Sequence, residues 1–341
     1  VKGEINQRLN GGLIRGKFRI QLRGIAMKQL IKTIFINRWN QVRSGWKIGL
    51  ILVVYVILIS IWRVFFPTAI STDLGFNMVD TLILFGIIFV VLHWIDRKRL
   101  KDIGFTDIRR HFRGLGFGLV LGAVSIAVIF VVLAMSGQIV VKRADFNYDV
   151  WISLGNGLLL FALVGLKEEI LSRGYCLFVF RQMRRLWLAV LLSSIFFTLF
   201  HATNPNLQVV GLLNIFLAAL LFSFMTVKTG NLWMAIGFHI TWNYFQGTVF
   251  GFPVSGIQLN SLYHIQIRYH NLLTGGLFGL EGGLPATGIL LASFIVVWLY
   301  AKRWGMPTPE PTLESTREPS PEPPLEPLPA IEKPEKHQEY C

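Results

Sequence analysis

Glu168 and Glu169 stand side by side in the middle of an apolar run long enough to cross a bilayer. A carboxylate at bilayer depth costs about 3 kcal/mol on insertion scales, so it is retained where it faces a partner or a wet cavity and marks a functional site. Arg173 follows Glu169 by four residues, which puts the two on one helix face, able to pair. Glu168 points away from that face by about 100° and is left for another task. Two later apolar runs carry His201 and His239, with Phe197 four residues before the first and Asn243 four residues after the second. Carboxylates and imidazoles together inside a membrane point to chemistry on water.

Taken singly, each residue has an ordinary explanation. Glu169 with Arg173 is a structural ion pair, His201 an interhelical hydrogen bond, His239 with Asn243 packing glue between helices, and Phe197 plain apolar surface. Their order and depth carry more weight. Arg181, Arg184 and Arg185 mark a turn, with Glu168 17 residues before Arg185 and His201 16 after it. At 1.5 Å per residue both lie roughly 25 Å along their helices from that turn, which places them at matching depth in an antiparallel pair. His239 and Asn243 lie 11 and 15 residues beyond Lys228, or roughly 16 and 22 Å along theirs.

The elements that position these residues are membrane spans. Of the 341 residues, 53% are hydrophobic and 15% charged, against about 25% charged in soluble domains. The expected fold is all-α: a polytopic membrane protein of about eight transmembrane helices enclosing an intramembrane polar chamber. The spans are expected near residues 48–66, 78–95, 115–135, 150–183, 186–202, 207–227, 232–250 and 284–301, with loops at 136–149 and between the last two. Trp46, Trp94, Trp151, Trp187, Trp233 and Trp304 fall near span ends, as an interfacial belt requires.

The net charge of +14 is concentrated beside the spans. Eleven Lys or Arg lie between Lys2 and Lys47, and seven between Arg97 and Arg113. Such clusters set orientation and touch anionic lipid headgroups, so nucleic acid is not an expected partner. With Arg181–Arg185, Lys228 and Lys302-Arg303 they fall on one side of an eight-span arrangement, which predicts both termini cytoplasmic. The chain divides into a basic N-terminal cytoplasmic segment at 1–47, a helical transmembrane domain at 48–303 whose carboxylates and imidazoles fall within 165–245, and a Pro/Glu-rich tail at 307–341 too poor in apolar residues to fold. No cleavable signal peptide is expected, and Met27 is an alternative start. Cys176 reads as a small core residue. His264, Arg268 and His270 read as solvated loop, with a lid over the site as the alternative. Asn214 reads as an interhelical hydrogen bond, and His93, beside Trp94, as interfacial.

The strings Glu168-Glu169-Ile-Leu-Ser-Arg173, Phe197-Thr-Leu-Phe-His201 and His239-Ile-Thr-Trp-Asn243 resemble, in order, the three motifs of the type II CAAX prenyl protease family, also called CPBP or Abi. Thr274-Gly275-Gly276 and Glu281-Gly282-Gly283 are similar to the family as well. The resemblance implies an intramembrane endopeptidase that cleaves a membrane-associated peptide or protein, prenylated or not, by CAAX-type or leader/bacteriocin-type processing. It implies Glu168 as general base on a water, His201 assisting, His239 and Asn243 holding the oxyanion, and Glu169, Arg173 and Phe197 in support. Family members are commonly described as metalloproteases. A divalent ion such as zinc would take Glu168, His201 and His239 as ligands, yet no His-Glu-x-x-His helix is present, and the chemistry can be written without metal. A bacterial-type cell membrane is the expected location. Two other functions stand beside the peptidase: a non-catalytic scaffold or immunity protein of the same family, and a transporter or proton relay.

Overall fold

The computed structural model describes residues 33–36, 42–67, 74–143 and 148–304. The expected tail at 307–341, most of the basic segment at 1–47 and the alternative start at Met27 lie outside the described residues. Helix α1 spans Ser44–Phe65 and ends just before Pro67, whose ring cannot continue it. Helix α2 spans Leu74–Val90 and runs on into a π turn, Val91–Asp96. After a 3-10 turn at Leu100–Ile103 comes α3, Ile108–Met135, whose first turn is capped by the Asp107 carboxylate accepting the Arg109 amide. Strand β1 is Ile139–Arg143. Helix α4, Tyr148–Glu169, continues through a π turn at Ile170–Cys176 into α5, Leu177–Arg181. Helices α6, Leu186–Phe200, and α7, Val209–Thr229, follow. Helix α8, Trp233–Asn243, again ends in a π turn, Tyr244–Val249. Strand β2, Tyr263–Ile267, and helix α9, Leu284–Arg303, complete the described chain.

Six of these stretches are long and apolar enough to cross a membrane: Ser44–Phe65, Leu74–Asp96, Leu100–Met135, Tyr148–Arg181, Val209–Thr229 and Leu284–Arg303. The fold is thus the expected all-α polytopic membrane protein, with fewer full-length spans than the eight counted from hydropathy. The two short ones are α6, at 15 residues, and α8, at 11 before its π turn. The shortness of α8 has a physical cause. A helix facing lipid must match the hydrocarbon thickness, but α8 is wrapped by protein, and every residue from Trp233 to Asn243 except Ile240 is buried. The third span also starts earlier than expected, at Ile108, because Asp107 caps it, so Arg109, Arg110 and Arg113 ride on its first turns.

Helix α8 is the central post. Met234 and Phe238 belong to a core shared with α3, α7 and α9, while Trp233 and Ile236 belong to a second core with α1, α2 and the π turn after α4. Its contact with α3 is close because both backbones are bare there. A Cβ on Gly118 would lie 2.1 Å from the Met234 carbonyl oxygen, and one on Gly122 2.4 Å from that of Phe238. In the reverse direction, a Cβ on Gly237 would lie 2.5 Å from the Leu115 carbonyl oxygen. Small residues at four-residue spacing let membrane helices approach this way. The Thr241 hydroxyl then donates to the Leu119 carbonyl at 2.8 Å and fixes the register.

One two-stranded ribbon interrupts the helices. Strands β1 and β2 pair antiparallel from Ile139↔Ile267 to Arg143↔Tyr263, within two segments expected as loops. Alternating burial along β2 tucks Ile265 and Ile267 against the main core, which is what turns the loop into a strand. His264, Arg268 and His270 are exposed, as the solvated reading expected, and none lines the cavity described below. Trp233 departs from the expected interfacial belt. It is buried, and its indole N–H donates to the Thr106 carbonyl at 2.9 Å, whereas Trp46, Trp94, Trp151, Trp187 and Trp304 are exposed.

Gly122→Val should break the α3–α8 contact. Forcing atoms into a packed core costs about 1–3 kcal/mol, so the variant is expected to unfold at clearly lower temperature in detergent. Gly116→Ala, where an added Cβ meets nothing within 4 Å, should leave the transition in place.

Candidate active site

The end of α4 delivers two carboxylates to different places. Glu169 is fully buried and meets two partners through one oxygen: Arg173 Nη1 at 3.0 Å and His239 Nδ1 at 2.9 Å. Arg173, equally buried, lays its guanidinium over the Phe197 ring at 4.1 Å and the Phe222 ring at 5.0 Å. Phe197 is therefore one side of a cation–π clamp on the arginine that neutralises Glu169. The π turn that starts at Ile170 is tied to α6, where the Ser193 hydroxyl donates to the Ser172 carbonyl at 2.7 Å. Single π turns of this kind recur at functional sites.

Glu168 points the other way, with its side chain 26% exposed. His201 Nε2 and His239 Nε2 each lie 3.8 Å from its Oε2. That is too long for a direct hydrogen bond and suits one bridging water. Both rings are oriented from behind. His201 Nδ1 is 2.9 Å from the Phe197 carbonyl, and His239 Nδ1 faces the Glu169 carboxylate. Carbonyl and carboxylate oxygens only accept, so each Nδ1 carries a hydrogen and each Nε2 is turned to Glu168. Phe222 stacks on the His239 ring at 5.1 Å and holds its plane.

Glu168, His201, His239 and Asn243 line one cavity of about 360 Å³. The four residues singled out by spacing as chemically competent are thus brought together, and Glu169, Arg173 and Phe197 stand behind them. Much of the wall is apolar, including Leu52, Leu160, Phe161 and Ile215. Asn214 makes its expected hydrogen bonds, but to a loop as well as a helix. It donates to the Glu281 and Gly283 carbonyls at 2.8 and 2.9 Å and accepts from the Thr287 hydroxyl at 2.6 Å. Cys176 is free and buried, as expected of a core residue.

Sequence reasoning missed one group and gave no role to another. Lys167, beside Glu168, pairs with Asp80 of α2 at 2.5 Å, and the Tyr55 hydroxyl of α1 donates to the other oxygen of Asp80 at 2.5 Å. Tyr55 and Lys167 line the cavity. The signal was available, since Asp80 and Lys167 are charges within apolar runs, with the same significance as the glutamates. Glu281 also lines the cavity and accepts both the amide and the hydroxyl of Ser255, at 2.8 and 2.7 Å. It lies in the 3-10 turn before α9, where no helical spacing ties it to the motifs.

The zinc ion implied by the resemblance does not find a ready set of ligands. Among the described residues no three His, Cys, Asp or Glu side chains are disposed to hold a metal ion. The three nearest, Glu168, His201 and His239, are spaced instead about a single carboxylate oxygen.

A polar cluster lodged among buried membrane helices defines the class: an integral membrane protein with an intramembrane site. Residues 150–245, from the start of α4 to the residues just after Asn243, match the family model described as type II CAAX prenyl endopeptidase Rce1-like, a family of proteases. This is the family that the three strings resemble. No curated protein and no solved structure matches the chain.

Removing one partner of a buried ion pair costs about 3–5 kcal/mol. Arg173→Met is expected to lose about that much stability, and Glu168→Gln far less, since Glu168 is in neither hydrogen bond of the Glu169 cluster. Thermal unfolding of the two purified variants in detergent checks the contrast.

Proposed function

We propose that the protein is an intramembrane endopeptidase that activates water with Glu168. One observation carries the proposal: a single oxygen of Glu168 stands 3.8 Å from Nε2 of two imidazoles whose orientations are independently fixed. A water held there loses a proton to Glu168 as its oxygen attacks the scissile carbonyl carbon. His201 Nε2 steadies that water. His239, in its imidazolium form, and Asn243 donate to the oxyanion as charge develops on it. Glu169 and Arg173 keep the His239 ring in place. We propose metal-independent chemistry, in keeping with the spacing of the donors.

The substrate is a membrane-associated peptide or protein. The apolar walls of the cavity suit a segment that enters from lipid, and the family match favours CAAX-type processing over leader- or bacteriocin-type processing. The ends bearing Arg97–Arg113, Arg181–Arg185, Lys228 and Lys302-Arg303 face the cytoplasm, in a cell membrane of bacterial type.

Glu168→Ala and His201→Ala should fold and lose cleavage, whereas a scaffold or immunity protein would keep its biological function in both. Proteomics of membrane fractions from wild-type and Glu168→Ala cells should show uncut precursors accumulating in the variant; identical profiles would remove the peptidase reading. Elemental analysis of active, purified protein should find no stoichiometric zinc. Zinc whose removal abolishes cleavage and whose return restores it would replace the metal-free mechanism.

A further inference from the structure

We propose that Glu281 is a second catalytic carboxyl, the acid that gives a proton to the departing amine. The proposal rests on the peptidase reading above and adds a residue from outside the three motifs. Glu281 lines the same cavity as Glu168, His201, His239 and Asn243 but arrives from the turn Leu280–Gly282, ahead of α9. One cavity of about 360 Å³ is thus lined by carboxyls from two segments unrelated in sequence.

The mount of Glu281 is rigid. Gly279 takes φ +99°, and a Cβ there would fall 1.9 Å from the Pro253 carbonyl oxygen, so this backbone is folded hard against its neighbour. Asn214 grips the turn from α7 through the Glu281 and Gly283 carbonyls. Ser255 binds the side chain through its amide and hydroxyl, and both bonds fall on Oε2. Holding the carboxyl in place therefore does not require its other oxygen. Burial pushes the Glu281 carboxyl up, against the opposing pull of Ser255 and of the His201 and His239 imidazoles. A carboxyl displaced in this direction is better suited to give a proton away. The same two imidazoles that flank Glu168 thus act on Glu281 as well.

The proton balance closes. Water oxygen bonds to the carbonyl carbon and its proton goes to Glu168. The C–N bond breaks as the nitrogen takes a proton from Glu281. One carboxyl has gained a proton and the other has lost one, so transfer from Glu168 to Glu281 resets the site and nothing beyond water is consumed.

A plainer role for Glu281 is to pin Ser255, whose φ is +49°. The test separates the two roles. Glu281→Gln keeps an oxygen for the Ser255 donors and removes the acid. The probes are an internally quenched farnesylated peptide with a C-terminal CAAX sequence and its twin with an ester at the scissile bond, whose alcohol leaves without prior protonation. With purified full-length protein in detergent, Glu281→Gln is expected to lower kcat on the amide by about 10²–10⁴-fold, the usual reach of a positioned acid, with KM little changed. The loss on the ester should be far smaller, and Glu281→Asp should recover part of the amide rate. A purely structural pin predicts equal losses on both probes, and that result, or unchanged amide cleavage, overturns the proposal while Glu168→Ala remains inactive. If Glu281→Gln does not fold, Glu281→Asp decides by the same comparison of amide against ester. A wild type that cuts neither probe removes the peptidase reading for CAAX substrates, and this proposal with it.

Discussion

Glu169 is a carboxylate with no exposed surface in a protein that crosses lipid, and the centre of the molecule is arranged around meeting its charge. Its oxygen holds a guanidinium at 3.0 Å and an imidazole at 2.9 Å, the first four residues away in sequence and the second 70. Arg173 cannot leave without exposing Glu169 to an uncompensated interior, and the two phenylalanines over its guanidinium replace the water it has lost. The position of His239 is set by the same oxygen, so α4 and α8 cannot slide past one another without breaking a charged contact. The working face of the site is thus held by a polar layer that lies behind it and does not open to the cavity.

Two carboxylates adjacent in sequence have been given opposite environments. Glu169 is enclosed and engaged through one oxygen with Arg173 and His239; Glu168 opens on a cavity, its nearest imidazole nitrogens set back at 3.8 Å. A helix turn of about 100° between neighbouring residues is enough to produce this separation. It gives one chain position to chemistry and the next to anchoring, under the proposed reading, without a loop between them.

Much of this was legible in the amino-acid sequence because helices translate spacing into direction. The four-residue interval between Glu169 and Arg173 predicts their pairing, and counting residues from the arginine turn puts Glu168 and His201 at one level. The His239–Asn243 interval puts both on the cavity wall. Other features leave no periodic trace. Nothing in the spacing of Phe197 says that it lies under a guanidinium rather than against lipid. The π turns at Ile170–Cys176 and Tyr244–Val249 have no signature in residue type. Glu281 reaches the site through a glycine-rich turn whose path depends on contacts with Ser255 and Asn214, and long-range contacts of that kind cannot be read from local pattern. Helix length is a further such feature: hydropathy measures apolar content and does not distinguish a helix bathed in lipid from one enclosed by its neighbours.

The enclosure of α8 has a consequence for the membrane that hosts the protein. Lipid-facing helices answer to hydrophobic mismatch, tilting or shifting when the bilayer thickens or thins. A helix whose flanks are all protein feels no such force directly, and α8 is clasped to α3 at backbone distance through Gly118, Gly122 and Gly237. His239 and Asn243 therefore ride on an element mechanically insulated from the acyl chains, whereas Glu168 rides on a span that still faces them.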